Sequence, residues 1–283
     1  MFGGLAAALV NLMVGSYSWR YLFLAGAFPG FLLLGLRWWV KESDRWLEVH
    51  GSTAGQAPVV AGSGTKSKRL SPLGGFTLKQ IFSKEMRRDT LVGTSLASIV
   101  TFGYWAVGWF VPTMISELLS QGSQKVPQAT VVQYVSTSRI LIAVGSILTY
   151  VIFLFLGTQW RRKRVLLVFF LGSFVVTLGV LHVAASLQTL MMLLPVLGFF
   201  TLGIWVVFPI YLPELYATHL RGTGSGFCFT FGRALSAIGP AATGALINYT
   251  GSFATAMSIP TFVYLLGPLT LLFARETRGQ NLQ

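Results

Sequence analysis

Arg139 and Arg233 lie deep inside long apolar runs of this chain. In hydrocarbon, a guanidinium without a partner costs about 2.5–3.5 kcal/mol on insertion scales. A chain that keeps two of them either ties them into a hydrogen-bond network between helices or opens a hydrated cavity around them. A cavity lined this way suits an anion, because a guanidinium presents a planar fork of donors that matches a carboxylate. Aromatic residues lie in the same kind of run. Tyr104, Trp105, Trp109 and Trp205 are pore-lining candidates, and Tyr104 and Trp105 lie deeper than the interfacial belt where Trp and Tyr act as anchors. Arg233, Arg139, Tyr104, Trp105, Gln133 and Trp205 form the candidate substrate-binding set.

Each arginine has an informative neighbourhood. Gln133, Ser136, Arg139, Ser146 and Tyr150 recur at helical spacing, with small Ala143 between them. A lipid-facing surface would not carry such a stripe, so it faces protein or water. Gly224, Cys228, Gly232, Ser236, Pro240 and Gly244 recur at every fourth position, which makes a small-residue seam for close helix approach. Arg233 is one residue off that seam, turned about 100° around the helix. It lies about 18 Å along the helix from Arg221, near mid-bilayer.

Other chemistry is missing. No Asp or Glu lies deep in an apolar run, since Asp89 and Glu117 are near ends. Proton coupling needs a titratable group inside the membrane, so a proton symporter would hold its carboxylate outside this sequence. There is no phosphate-binding glycine loop, metal-ligand cluster or nucleophile–His–acid set. The chain is expected not to be an enzyme and to use no cofactor or metal. His182 falls at an outer helix end, where a solvated or capping role is expected.

The elements that must position these residues are membrane helices. Of 283 residues, 53% are hydrophobic and 10% charged, and mean hydropathy is +0.67. A soluble domain would carry about a quarter charged residues. The fold class is all-α, a polytopic membrane helix bundle, because lipid requires each span to satisfy its own backbone. A short apolar run covers Met1–Val14. Full spans are expected at Tyr21–Val40, Leu91–Ile115, Val131–Leu156, Val165–Ala184, Leu190–Leu212, Gly222–Ile247 and Phe253–Phe273.

Net charge is +13, but it is confined to alternate connections. The long segment after the second run, the cluster Arg161–Arg164, Arg221 and the C-terminal Arg275 and Arg278 hold nearly all of it, while the intervening connections hold Arg20 and Lys125. This is a positive-inside pattern. It predicts a multi-pass protein of the plasma (inner) membrane with a cytoplasmic C-terminus, its basic charge facing the lipid bilayer and not nucleic acid. Within the long segment, Gly51–Gly75 is rich in small residues and reads as flexible. Leu78, Ile81, Phe82 and Met86 then share one helical face, which reads as an interfacial amphipathic helix.

Several motifs resemble the major facilitator superfamily. The stretch from Tyr211 to Gly226 is similar to that family's Pro-Glu-x-x-Pro-Thr-x-x-Arg-Gly-x-Gly turn, matching at Pro213, Glu214, Thr218, Arg221, Gly222 and Gly224, with Ala217 at the usual proline. Val40–Leu47 resembles the family's ending of the sixth helix, with Lys41 and Asp44 in place of prolines. Glu276-Thr-Arg-Gly resembles the closing Glu-Thr-Lys-Gly, and Gly103-Tyr-Trp with Trp109-Phe-Val-Pro resembles the seventh helix of organic-acid and sugar carriers. Between the eighth and ninth helices the family reads Asp-Arg-x-Gly-Arg-Arg. Here Thr158-Gln-Trp-Arg-Arg-Lys keeps the basic cluster and loses the acid and the glycine.

The resemblance implies a C-terminal six-helix half plus one and a partial helix of the N-terminal half. Residues 1–40 would end the N-terminal half, 41–90 form a cytoplasmic linker, 91–273 the six-helix bundle, and 274–283 a cytoplasmic tail. It implies a secondary transporter moving a small organic anion by alternating access, with a coupling ion such as a proton. Activity is expected to need the N-terminal helices that this sequence lacks. Glu214, Arg221, Arg161, Arg162, Glu42 and Arg45 are the candidate gating residues, either closing the cytoplasmic side in one state or capping and anchoring helices. A neutral-sugar carrier and a non-transporting membrane remnant are the alternative readings.

Overall fold

A computed structural model describes residues 2–15, 17–39, 77–120, 126–157, 160–218 and 220–277. Glu42, Arg45, the segment Gly51–Gly75 and Lys125 lie outside the described residues, as does the Trp109 side chain. Contacts divide the chain into two units, Met1–Ser16 with Gly75–Gln283, and Tyr17–Gly74. The second unit contains α2 (Trp19–Trp39), an apolar helix with Pro29 inside it.

The first unit is helical throughout its regular structure. It consists of α1 (Phe2–Val14), α3 (Thr77–Ile81), α4 (Arg87–Ser120), α5 (Gln128–Leu156), α6 (Arg162–Val183), α7 (Leu187–Thr201), α8 (Ile204–Glu214), α9 (Arg221–Ser236), α10 (Ile238–Thr250), α11 (Phe253–Thr261) and α12 (Val263–Phe273). Among the described residues, five stretches are long and apolar enough to cross a membrane: Arg87–Ser120, Gln128–Phe155, Arg162–Val183, Leu187–Glu214 and Phe253–Phe273. The chain is a multi-pass helical membrane protein.

The expected single span Gly222–Ile247 is two helices meeting at Ala237. The Ala237 N–H donates three residues back to the Ala234 carbonyl at 3.3 Å, and Pro240 has no N–H to give the Ser236 carbonyl. A similar step separates α7 from α8, where Trp205 and Val206 donate to Leu202 and Gly203 at 3.1 and 3.0 Å. The α3 helix stops at Ile81, shorter than the periodicity through Met86 suggests, because Ser83 and Met86 close tight turns instead. Ile81 is fully buried, whereas Leu78 and Phe82 are exposed.

Lipid supplies no hydrophobic drive between helices, so close packing and interhelical hydrogen bonds must hold them together. The α4–α9 seam is built for this. Gly224, Cys228, Gly232 and Ser236 are buried, and a Cβ on Gly232 would lie 2.7 Å from the Ala97 carbonyl carbon. The seam ends there, since Gly244 faces open space. Between α5 and α7, Gly145 lies against the Pro195 carbonyl and Gly198 against that of Ile142. The Thr149 hydroxyl donates across this contact to the Phe199 carbonyl at 2.8 Å. Helix α1 packs on α5, and Asn11 Nδ2 donates to Ser136 Oγ at 2.7 Å.

Candidate functional site

A cavity of about 540 Å³ opens among α1, α4, α5, the α7–α8 step and α9, within the usual range for small-molecule sites. Arg139, Arg233, Tyr104, Trp105 and Trp205 all line it. Position along the helices explains the level. Arg233 follows Arg221, the first residue of α9, by about 18 Å of helix rise, and Arg139 follows the start of α5 by about 16 Å. Gln133 does not line the cavity and is exposed. It is six positions from Arg139, which turns it about 120° away on the helix. Ala143 and Tyr150 share Arg139's face and do line the cavity, whereas Ser136 turns toward Asn11.

The two arginines have different surroundings. Arg139 Nη2 donates to the Gly108 carbonyl at 2.8 Å. That carbonyl is vacant because Pro112, four residues on inside α4, has no N–H to give it. The same device recurs at Pro209 in α8, where the freed Trp205 carbonyl accepts from the Tyr150 hydroxyl at 3.4 Å. Arg233 makes no side-chain hydrogen bond or ion pair among the described residues and is exposed within the cavity. Thr101 Oγ1 and Trp205 Nε1 are buried without a partner, and both residues line the cavity. A buried donor left unmade costs roughly 1–3 kcal/mol. No Asp or Glu is among the described lining residues.

The walls are aromatic. Tyr104 meets Trp105 and Trp205 edge to face, both at 5.7 Å between centroids, and Trp205 meets Phe229 at 5.5 Å. Such contacts fix the ring orientations by quadrupole geometry. Thr101, Gly108 and Phe229 escaped the sequence reading. For Gly108 a signal existed, since a proline inside a helix vacates the carbonyl four residues before it.

The gating candidates meet elsewhere, at the basic end of the bundle. Glu214 does not pair with Arg221. Its carboxylate lies 3.7 Å from Arg162 Nε and accepts from the Thr277 hydroxyl. Arg162 also donates to the Gly157 carbonyl at 3.0 Å. The acid missing from the loop before α6 is replaced from a distance, as Glu276 accepts the backbone N–H groups of Arg162 and Lys163 at 3.0 and 3.4 Å. That caps the α6 N-terminus with negative charge, where the helix dipole favours it. Lys163 Nζ donates to the Ala274 carbonyl at 2.7 Å. Arg275 pairs with Asp89 at 3.4 Å and also bonds the Leu215 carbonyl. Tyr211 donates to the Arg275 carbonyl at 2.7 Å. Between α8 and α9, burial pushes the Tyr216 phenol above its ordinary range, so it stays neutral beside Thr90 and Cys228. Arg161 is exposed. Arg221 keeps Nε and Nη2 buried with no partner among the described residues. At the other end, His182 Nε2 is 2.9 Å from Ser258 Oγ.

A family model described as "Sugar (and other) transporter" matches residues 1–283. The chain is 26% identical over 305 residues to the inner membrane metabolite transport protein YdjE of Escherichia coli (strain K12), covering 99% of this chain and 63% of the relative. It is 23% identical over 275 residues to the probable 4-methylmuconolactone transporter of Cupriavidus pinatubonensis, covering 97% and 57%. It is 24% identical over 273 residues to the cis,cis-muconate transport protein of Acinetobacter baylyi, covering 96% and 60%. The chain thus spans less than two thirds of the length of these relatives. A match over every residue, on an apolar helical bundle, places the chain in the sugar (and other) transporter family of the major facilitator superfamily.

Proposed function

We propose that the chain forms the substrate-bearing bundle of a secondary transporter for small organic anions. The observation that carries this reading is the unpartnered Arg233 guanidinium in a cavity that also holds two orphaned donors, Thr101 Oγ1 and Trp205 Nε1. A carboxylate accepts from all three kinds of group and leaves the aromatic walls to its carbon skeleton. Arg139, already tied to the Gly108 carbonyl, adds positive charge and fixes the shape of the floor. The muconate-type compounds named for two relatives are of this size and chemistry.

In this reading the bundle rocks as a body against the facing part of the carrier. The basic end faces the cytoplasm, by the charge asymmetry of the connections, in the plasma membrane. The ion pairs there hold the ends of α4, α6, α8 and the C-terminal segment together. With no carboxylate among the cavity's described lining residues, a proton-coupled cycle in this reading takes its titrating group from another part of the carrier. A neutral-sugar carrier is the second reading, favoured by the family description and by the aromatic box.

Purified protein in lipid nanodiscs, titrated with benzoate and with glucose while tryptophan emission is recorded, separates the two. The anion reading predicts saturable quenching by benzoate that Arg233→Gln removes. Quenching by glucose alone, unaffected by Arg233→Gln, would establish the sugar reading instead.

A further inference from the structure

The basic run before and at the start of α6 divides into two pairs. Arg162 and Lys163 turn inward, to Glu214, the Gly157 carbonyl and the Ala274 carbonyl. Arg161 and Arg164 do the opposite. Both are exposed, and among the described residues neither makes an ion pair or side-chain hydrogen bond. They are three apart, so they share one face of the helix end. Of the α6 backbone N–H groups beside them, those of Arg162 and Lys163 are already taken by Glu276, and the two side chains are charged donors still available there.

Both arginines stand at the mouth of a second cavity, about 620 Å³, between α5, α6 and α7. It is separate from the Arg233 cavity and shares no lining residue with it. Below the arginines its walls are apolar, formed by Ile152, Phe153, Val168 and Phe199, with Trp160 at the rim. The one hydroxyl among its described lining residues, Thr149, is already spent on the Phe199 carbonyl. The surrounding surface is the bundle's outer apolar face: Leu154, Phe155 and Val168 are 75%, 71% and 59% exposed. A rim of Trp and Arg over an apolar slot matches the layering of a membrane interface, with aromatic and basic groups at headgroup level and hydrocarbon below.

The geometry points to a binding site for one glycerophospholipid with an anionic headgroup: its phosphate on Arg161 and Arg164, its acyl chain in the slot. This goes beyond the transport reading and rests only on the bundle being embedded in a membrane. A water-soluble anion would satisfy the arginines but leave the slot empty, so the lipid is the occupant that uses both parts.

The test is native mass spectrometry of the full chain, released from nanodiscs holding equal phosphatidylglycerol and phosphatidylcholine. The expected result is selective retention of one phosphatidylglycerol, lost by on the order of tenfold or more in R161Q/R164Q, at about 1 kcal/mol per basic residue near the surface. K79Q/K84Q removes the same charge from exposed positions elsewhere and is expected to retain the lipid. V168W keeps the arginines and fills the slot, and is expected to lose it. Inorganic phosphate in millimolar excess is expected not to displace it. Equal retention of the two lipids, equal loss in K79Q/K84Q, unchanged retention in V168W, or displacement by phosphate would each overturn the assignment. Thermal unfolding of each variant separates lost binding from lost fold: retention lost only in variants that no longer unfold cooperatively would also count against it.

Discussion

The two polar regions of this bundle differ in how their charged groups are satisfied. At the basic end, Glu214, Glu276, Asp89, Arg162, Lys163 and Arg275 each have partners, many of them backbone groups at helix ends. In the cavity, Arg233, Thr101 Oγ1 and Trp205 Nε1 have none among the described residues. Burying unpaired donors is costly. Orphaned donors occur in both regions, Arg221 Nε and Nη2 at the basic end among them, so what distinguishes Thr101 and Trp205 is that they line a cavity with room for a ligand. Arg139 stands between the two cases, lining the cavity while holding a scaffold carbonyl.

The contrast can be broken by mutation. Arg233→Gln should weaken benzoate binding by roughly 100-fold, from the loss of charge-assisted bonds worth about 2–3 kcal/mol. Its unfolding temperature should not fall. Glu214→Ala should reverse that pattern: it leaves Arg162 largely buried and unpaired, at about 2 kcal/mol of stability, and shifts benzoate affinity by no more than about twofold. Thermal unfolding alongside the titration reads both quantities. Arg139→Ala should show both effects at once. It strands the Gly108 carbonyl at about 1–2 kcal/mol of stability and lowers affinity by roughly tenfold. Trp205→Phe keeps the aromatic wall and deletes the orphaned N–H, so affinity should drop several-fold, by about 1 kcal/mol, with stability unchanged. A Trp205→Phe variant that binds as well as wild type would remove that N–H from the site.

Much of this contrast is legible in residue order. Apolar runs and helical periodicity bring Arg139 and Arg233 to similar depths, because depth is fixed by rise per residue. Periodicity also places Tyr150 beside Arg139, but the same arithmetic, carried through, turns Gln133 away. Partner choice is less legible. Glu214 lies seven positions from Arg221 in sequence, yet it pairs with Arg162, because the α8–α9 turn folds over the start of α6 and proximity there is tertiary. Glu276 likewise supplies an acid that the loop before α6 lacks, from a segment far along the chain. The break at Ala237 was hidden inside a run of suitable length and composition, although Pro240 marked it. The vacated carbonyls of Gly108 and Trp205 are readable from Pro112 and Pro209, whereas the side chains that fill them follow only from which helices touch.

In the proposed function, Arg233 gives the cavity its preference for negative charge. The affinity ratio of benzoate to its uncharged isostere benzamide, measured by tryptophan quenching on the same nanodisc preparation, tests it most directly. Benzoate is expected to bind tighter by on the order of tenfold or more, and Arg233→Gln to bring the ratio close to one. Equal affinities in the unmodified protein, or a ratio that survives Arg233→Gln, would contradict it.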